Sequence, residues 1–298
     1  MSDDPYRLAE LSSDEKALLV ETKATCPFIG SVVAQGKLPV RNDAQDPLAS
    51  IEDVRGLGNT GGGDLGDLLV LFASGNHGLL RSDSGKLDKS VPNGLFSLEF
   101  PGSQGSHAGH SGILQSNPET PGSGRLSEAD FARLTSRAKD GWVKRSDVGC
   151  FIAENLIKDP KSRVFGKNTV ALLGSDLVEF VESAGSALLS RLSGSSENAT
   201  AAHRNTEQKL TKLLGEDDLV GSAGEFGLLF AFLENKPGAK DVGGEPAVAV
   251  QDLRAMFADK RLPEGWETWK KSRIDWVRNT SRLMISAAKE YRIRKRTS

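Results

Sequence analysis

The chain has 298 residues, 38 basic and 40 acidic side chains, and two cysteines. It is long enough to bury a full hydrophobic core, and its two distant cysteines do not resemble the disulfide framework of a small secreted protein. The balanced charge argues against a nucleic-acid-binding surface, and the basic stretch 292–296 is interpreted as a solvated helix end. No stretch suits a membrane span or a signal peptide, which predicts a soluble, cytoplasmic protein.

The first predicted elements are two short helices in direct succession. Residues 12–15 can cap a helix that runs to about Thr25. Pro27 suits the first position of the next helix, and Gly36 suits its end. Cys26 then lies at a helix N-terminus, where unpaired N–H groups and the helix dipole favour a thiolate. This position predicts a nucleophile or a metal ligand, and the alternative is an ordinary half-buried cysteine.

A long irregular segment follows a predicted buried helix at 64–74. Residues 76–124 are rich in Gly, Ser and Pro and lack a sustained period, with one possible short strand at 96–100. Such a segment within a compact domain is more often functional than idle. It contains His107 and His110, which are candidate metal ligands or acid–base groups, or simply histidines exposed in a glycine-rich loop.

The remainder of the chain is predicted to be helical. Capping residues and a period of 3.6 indicate helices at about 127–138, 146–158, 175–192, 205–214, 221–235, 248–260 and 264–298. The last of these contains a tryptophan stripe that is most simply core or an inter-helix seam. We therefore expect a mostly α-helical fold and a single domain over 1–298, with 76–124 as a long loop region and 264–298 as a C-terminal helix; the resemblance described below implies that this domain surrounds a cofactor pocket.

Glu225 is the most distinctive carboxylate of the chain. At helical spacing its neighbours are Leu228, Leu229 and Phe232, so one carboxyl group shares a face with bulky apolar side chains. Burial of this kind raises the pKa of a carboxyl group toward the range that acid–base catalysis needs. The alternative is a first-turn residue that complements the helix dipole at the surface.

Four motifs occur in a recognisable order. They are Cys26-Pro27 with Gly36 and Leu38-Pro39, the histidine-containing stretch 107–112, Glu225, and the stretch 256–266 with its Phe, Arg-Leu-Pro and Gly-Trp. In this order they resemble the haem-thiolate peroxidases, the family of fungal chloroperoxidase and the unspecific peroxygenases. The resemblance extends over about residues 20–270. The chain departs from the family in lacking the carboxylates that hold a magnesium ion, in a longer spacing that implies an insertion around 165–215, and in lacking a secretion signal.

The resemblance implies a cofactor and a set of site residues. Cys26 would be the proximal ligand of the iron of haem b (iron protoporphyrin IX), with Pro27, Phe28 and Ile29 as its cofactor-binding neighbours. Glu225 would be the distal acid–base residue, oriented by His110 or His107. Because the acidic motif is replaced by small and neutral residues, we do not expect the family's magnesium ion.

The expected function is that of a haem-thiolate peroxidase or peroxygenase. Hydrogen peroxide or an organic peroxide would oxidise or oxygenate a small organic or lipid-like substrate, and Phe28, Leu228, Leu229 and Phe232 are the candidate pocket walls. Two alternatives are a haem-binding carrier or sensor without turnover, and a non-haem helical interaction protein. A cysteine hydrolase that uses Cys26 is a third. We expect neither nucleic-acid binding nor a membrane span, and the sequence does not indicate an oligomeric state.

Overall fold

A computed structural model describes residues 10–22, 26–42, 47–50, 53, 56–57, 95–97, 113–114, 124–164 and 217–297. About 59% of these residues are helical, so the fold is mostly α as predicted. The described ranges also contain two small antiparallel sheets beside the helices. The predicted helices at 64–74, 175–192 and 205–214, and nearly all of the 76–124 segment, lie outside the described residues.

The elements are numbered here in chain order. They are α1 (Ser13–Thr22), α2 (Pro27–Ala34), β1 (Val40–Asn42), β2 (Pro47–Ser50), β3 (Leu95–Ser97), α3 (Glu128–Thr135), β4 (Trp142–Lys144), α4 (Arg145–Lys158), α5 (Asp218–Leu233), β5 (Lys240–Val242), β6 (Glu245–Ala249), α6 (Val250–Phe257), a 3-10 helix (Trp266–Thr268) and α7 (Arg273–Thr297). Buried apolar side chains between Leu11 and Tyr291 form one connected core. None of the described helices is both long and apolar enough to cross a bilayer.

The predicted start of the first helix and the predicted limits of the second are confirmed, whereas α1 ends at Thr22 and the predicted end near Thr25 lies outside the described residues. At the start of α1 the Glu15 amide N–H donates to Ser12 Oγ (3.3 Å), and the Ser12 N–H donates to the Glu15 carboxylate (2.9 Å), which is a capping box. Pro27 occupies the first turn of α2. Gly36 ends this helix with φ of +65°, a conformation that glycine adopts without steric cost.

The sequence analysis missed the two three-stranded sheets except for one strand, since β3 (Leu95–Ser97) overlaps the possible strand predicted at 96–100. In one, β2 lies between β1 and β3, and in the other β6 lies between β4 and β5, with Val143 opposite Val248. The β5–β6 turn is Gly243-Gly244, and both residues have positive φ as a two-residue hairpin turn requires. The predicted helix at 248–260 is therefore shorter: Val248 is in β6, and α6 covers only Val250–Phe257.

The C-terminal helix begins at Arg273 and not at 264 as predicted. Gly265 adopts φ of +73°, and Trp269 is extended, so the chain turns twice before α7. These turns let the Trp266 indole donate to Leu57 O (2.9 Å) and the Trp269 indole donate to Phe232 O (2.6 Å) while both rings are buried. The interpretation of the tryptophans as core residues is confirmed, because Trp276 of α7 is buried as well.

The helix α7 packs closely on α4 and α5. At Gly227 of α5 an added Cβ would lie 2.1 Å from Thr280 Oγ1, and at Gly149 of α4 it would lie 2.4 Å from Ser286 Oγ. The Trp276 indole N–H donates to Gly224 O of α5 (2.9 Å). Glycine at these positions allows the helix axes to approach, and this seam fixes the orientation of α5.

Candidate functional site

The residue Cys26 is the N-cap of α2, with φ of −74° and ψ of 121°. Two polar contacts join this helix to α6 and the segment after it: the Leu262 N–H donates to Gln35 Oε1 (3.1 Å), and Ser31 Oγ, which donates to Pro27 O (2.7 Å), lies 3.3 Å from Met256 O. Because both contacts join segments that are distant in the chain, the start of α2 has a defined position relative to α6.

The residue Glu225 lies in the interior of α5. The helix begins at Asp218 and is capped by Asp217, whose Oδ1 accepts from the Leu219 and Val220 N–H groups at 3.1 and 3.2 Å. Glu225 is the eighth residue of α5 and is half-buried. The alternative interpretation of Glu225 as an exposed first-turn residue is therefore wrong.

One pocket brings Cys26 and Glu225 together, although they are far apart in the sequence. The apolar residues that line it come from α2, α5, α6 and the 113–114 segment, and they are Pro27, Phe28, Ile113, Phe226, Leu228, Leu229, Phe232, Met256 and Phe257. All four side chains predicted as pocket walls are among them. Phe28 and Phe232 are in ring contact, with centroids 5.1 Å apart, so α2 and α5 meet directly at this wall.

The pocket is apolar but narrow. The cavity that a ligand could occupy has a volume of only about 20 Å³. This is room for about one water molecule. A group larger than water therefore requires the walls to move apart.

The thiol of Cys26 is neutral, which corrects the predicted thiolate. Burial, with a smaller contribution from the Glu225 carboxylate, raises the pKa of the Cys26 thiol to about 12. The N–H groups of Ile29 and Phe28 and the ammonium of Lys260 act in the opposite direction. Loss of solvation outweighs the helix N-terminus here, because the sulfur lies among apolar side chains and makes no cap hydrogen bond.

Of the other predicted site residues, Pro27 and Phe28 line the pocket and Ile29 does not. Ile29 is buried in the core, and its part in the site is the N–H group that faces the Cys26 sulfur. His107 and His110 lie outside the described residues. Ile113, the third residue after His110 in the sequence, is part of the pocket wall.

The sequence analysis missed three residues near the site: Met256, Phe257 and Lys260. Met256 and Phe257 are buried on α6 and line the pocket. The sequence signal for these two residues was their helical spacing from Leu253. This spacing places Leu253, Met256 and Phe257 on the buried face of a short amphipathic helix. Lys260 has no such signal, because a lysine beyond a helix end is usually solvated.

Within the described ranges, no group of three or more His, Cys, Asp or Glu side chains could hold a bare metal ion. Among the described residues, the pocket offers one thiol, the thioether of Met256 and one carboxyl group. No family model, curated protein or solved structure matches this chain. The resemblance to haem-thiolate peroxidases therefore stays a prediction from the order of the four sequence motifs.

Proposed function

We propose that this chain is a haem-thiolate peroxidase or peroxygenase, in which Cys26 would hold the haem iron and Glu225 would be the acid–base residue. The observation that carries the proposal is the single apolar pocket lined by both residues. The order of the motifs suggested Cys26 and Glu225 but gave no information on the distance between them. That both residues line one pocket therefore supports the proposal independently.

The set of donor atoms fits a haem better than a bare ion. Zinc or non-haem iron needs three or four protein ligands, whereas a haem brings four nitrogens and needs as few as one protein ligand. Cys26 is such a single ligand. The apolar walls, formed by Phe28, Leu229 and Met256 among others, suit the porphyrin face and a small organic or lipid-like substrate.

The free space sets a condition on this proposal. Room for about one water molecule does not accommodate a porphyrin, so haem binding requires α2 and α5 to separate at the Phe28–Phe232 contact. The contact between these two rings contributes on the order of 1 kcal/mol beyond their burial, a cost that ligand binding can offset. Haem uptake should therefore change the packing of this wall.

A bound haem would supply the activation of hydrogen peroxide or of an organic peroxide, and a thiolate ligand favours cleavage of the O–O bond. Cys26 would lose its proton on metal binding, because a coordinating thiol is deprotonated by the metal charge. Glu225 would accept a proton from one peroxide oxygen and return it to the other. The apolar side chains around Glu225 would exclude bulk water from that transfer.

A histidine partner for Glu225 remains part of the proposal. His110 is three residues before Ile113, and three residues span at most about 11 Å of extended chain. Ile113 lines the pocket, and this closeness in the sequence is why we prefer His110 as the partner. His107, three residues earlier, is the second choice.

The test is reconstitution with haem. Purified wild-type protein, Cys26→Ala and the matched control Cys150→Ala are each incubated with haem, and the carbon monoxide difference spectrum is recorded. We expect the wild type and Cys150→Ala to show the band of thiolate-ligated haem and Cys26→Ala to lose it. Cys150 is a suitable control because it is a half-buried thiol on α4 that does not line the pocket.

Two outcomes would contradict the proposal. A folded wild-type protein that takes up no haem would favour a helical interaction protein in which Cys26 is only packed. A protein that shows the thiolate spectrum but no peroxide turnover, and whose spectrum Glu225→Gln leaves unchanged, would favour a carrier or sensor.

A further inference from the structure

A second, wider cavity lies on the other side of Phe257 from the Cys26 pocket. This groove, called here the Lys260 groove, runs between α1, α2, the 124–128 segment and α6 and has a volume of about 680 Å³. That volume is typical of small-molecule sites. Its charged wall residues are Lys16, Glu21, Arg125, Glu128 and Lys260.

Four of these five charged side chains have an oppositely charged neighbour. Lys16 pairs with Glu10, Arg125 with Glu21 (2.5 Å), and Glu128 lies 3.9 Å from Arg254. Lys260 differs, because among the described residues no carboxylate lies within ion-pair distance of it. Its hydrogen-bond partner is a neutral backbone carbonyl, Gly124 O, at 2.5 Å.

The Lys260 ammonium is therefore the excess charge of the groove. An ammonium has three N–H donors, and the bond to Gly124 O uses one. The side chain is half-buried, and burial lowers the pKa of Lys260 to about 8. A buried cation with donors to spare gains free energy from an anion that restores its lost solvation.

The remaining wall determines which anion fits. Val20, Leu126 and Phe257 present apolar surface beside the lysine. The other four charged side chains of the wall already have oppositely charged neighbours, so among the described residues Lys260 adds one uncompensated positive charge, which a monoanion balances and a dianion such as a phosphate monoester exceeds. A single negative charge attached to an apolar body satisfies both conditions.

We propose that the Lys260 groove binds a small organic monocarboxylate, with the carboxylate on the Lys260 ammonium and the apolar body against Val20, Leu126 and Phe257. This site is separate from the Cys26 pocket, with Phe257 as a shared wall. It does not depend on the proposed haem chemistry. It assigns a binding role to a lysine that the peroxidase proposal does not use.

The experiment is calorimetric titration of the haem-free protein with 2-naphthoate and with its uncharged analogue 2-naphthamide. We expect saturable binding of 2-naphthoate and binding of the amide that is at least about tenfold weaker, because the amide lacks the charge that pairs with Lys260. Lys260→Met should weaken 2-naphthoate binding by a similar factor. The matched control Lys139→Met removes an exposed lysine outside the groove and should leave binding unchanged.

A second variant tests the cavity without removing the charge. Ala34 is an exposed residue of α2 that lines the groove, so Ala34→Trp should fill the groove and abolish binding while Lys260 remains. Equal binding of acid and amide, unchanged affinity in Lys260→Met, or no saturable binding to the wild type would each overturn the proposal. Because the protein is free of haem, none of these results bears on the Cys26 proposal.

Discussion

Two faces of one helix, α5, have opposite properties. On the seam face, Gly227 meets α7 so closely that an added Cβ would lie 2.1 Å from Thr280 Oγ1. On the pocket face, Glu225, Leu228 and Leu229 line a space shared with Cys26. The seam face is packed tightly against α7. On the pocket face, the Glu225 carboxyl group and the Cys26 thiol border a small cavity.

The two faces of α5 differ in function: we expect the seam face to contribute to stability and the pocket face to carry the proposed chemistry. The Trp276 indole N–H on the seam has a partner within the protein, at Gly224 O. Cys26 in the pocket is neutral because its surroundings solvate a thiolate poorly. Substitutions on the seam should change the free energy of unfolding, and substitutions in the pocket should change ligand binding or turnover.

The largest expected effect is on turnover. In haem-loaded protein, Glu225→Gln removes the proton acceptor and should lower the rate of peroxide-dependent oxidation by about 10²- to 10⁴-fold, the usual contribution of a positioned acid–base group. Haem content and the carbon monoxide spectrum should not change. The measurement is steady-state oxidation of a chromogenic phenol at matched haem concentration.

A control for this variant is Glu264→Gln, which alters an exposed carboxylate between α6 and the 3-10 helix. It should retain the wild-type rate. If Glu225→Gln retains it as well, Glu225 is not the acid–base residue, and the functional contrast between the two faces of α5 is lost.

The next effect is on the seam. Gly227→Ala should destabilise the protein by about 1–3 kcal/mol, because the new Cβ collides with Thr280 Oγ1 and lies 2.9 Å from the Thr280 backbone nitrogen. Chemical denaturation at neutral pH measures this change. In Gly56→Ala the added Cβ meets nothing within 4 Å, so that variant should stay within about 0.5 kcal/mol of the wild type. Comparable losses in both variants would argue against the tight seam.

A smaller effect concerns alkaline pH. The pKa of Cys26 in the folded protein is about 12, above the value of about 8.5 for an unfolded cysteine. Its contribution to stability is therefore fully present below about pH 8.5 and is lost as pH rises toward 12, with about 2 kcal/mol lost by about pH 10.

The difference in unfolding free energy between wild type and Cys26→Ala isolates this contribution, since Lys260 and Lys271 are present in both proteins. That difference should shift by about 2 kcal/mol in favour of the alanine variant between about pH 7 and pH 10. A difference independent of pH would mean that the Cys26 thiol titrates normally.

The smallest expected effect is on thiol reactivity. Burial raises the pKa of Cys150 as well as that of Cys26, so neither side chain is an activated thiolate. In haem-free protein at neutral pH, a thiol-directed disulfide reagent should label Cys26 no faster than Cys150. Faster labelling of Cys26 would revive the cysteine hydrolase hypothesis.

Local signals in the sequence predicted the elements that form the pocket. Pro27 and Gly36 marked the ends of α2, and the spacing of Leu228, Leu229 and Phe232 around Glu225 marked the apolar face of α5. Such signals succeed because capping and helical periodicity depend on residues within a turn or two. The β4–β6–β5 sheet was missed because short strands depend on pairing with distant partners, as Val143 does with Val248.

The sequence by itself determined the mostly helical class, the position of Cys26 at a helix start and the apolar face around Glu225. Only the tertiary structure decided that these two groups line one pocket, because their approach depends on the packing of α2 against α5 and α6. It also decided that the Cys26 thiol is neutral. The helix N-terminus is a local feature that favours the thiolate, whereas burial depends on all the side chains packed around the sulfur, and here burial is the larger effect.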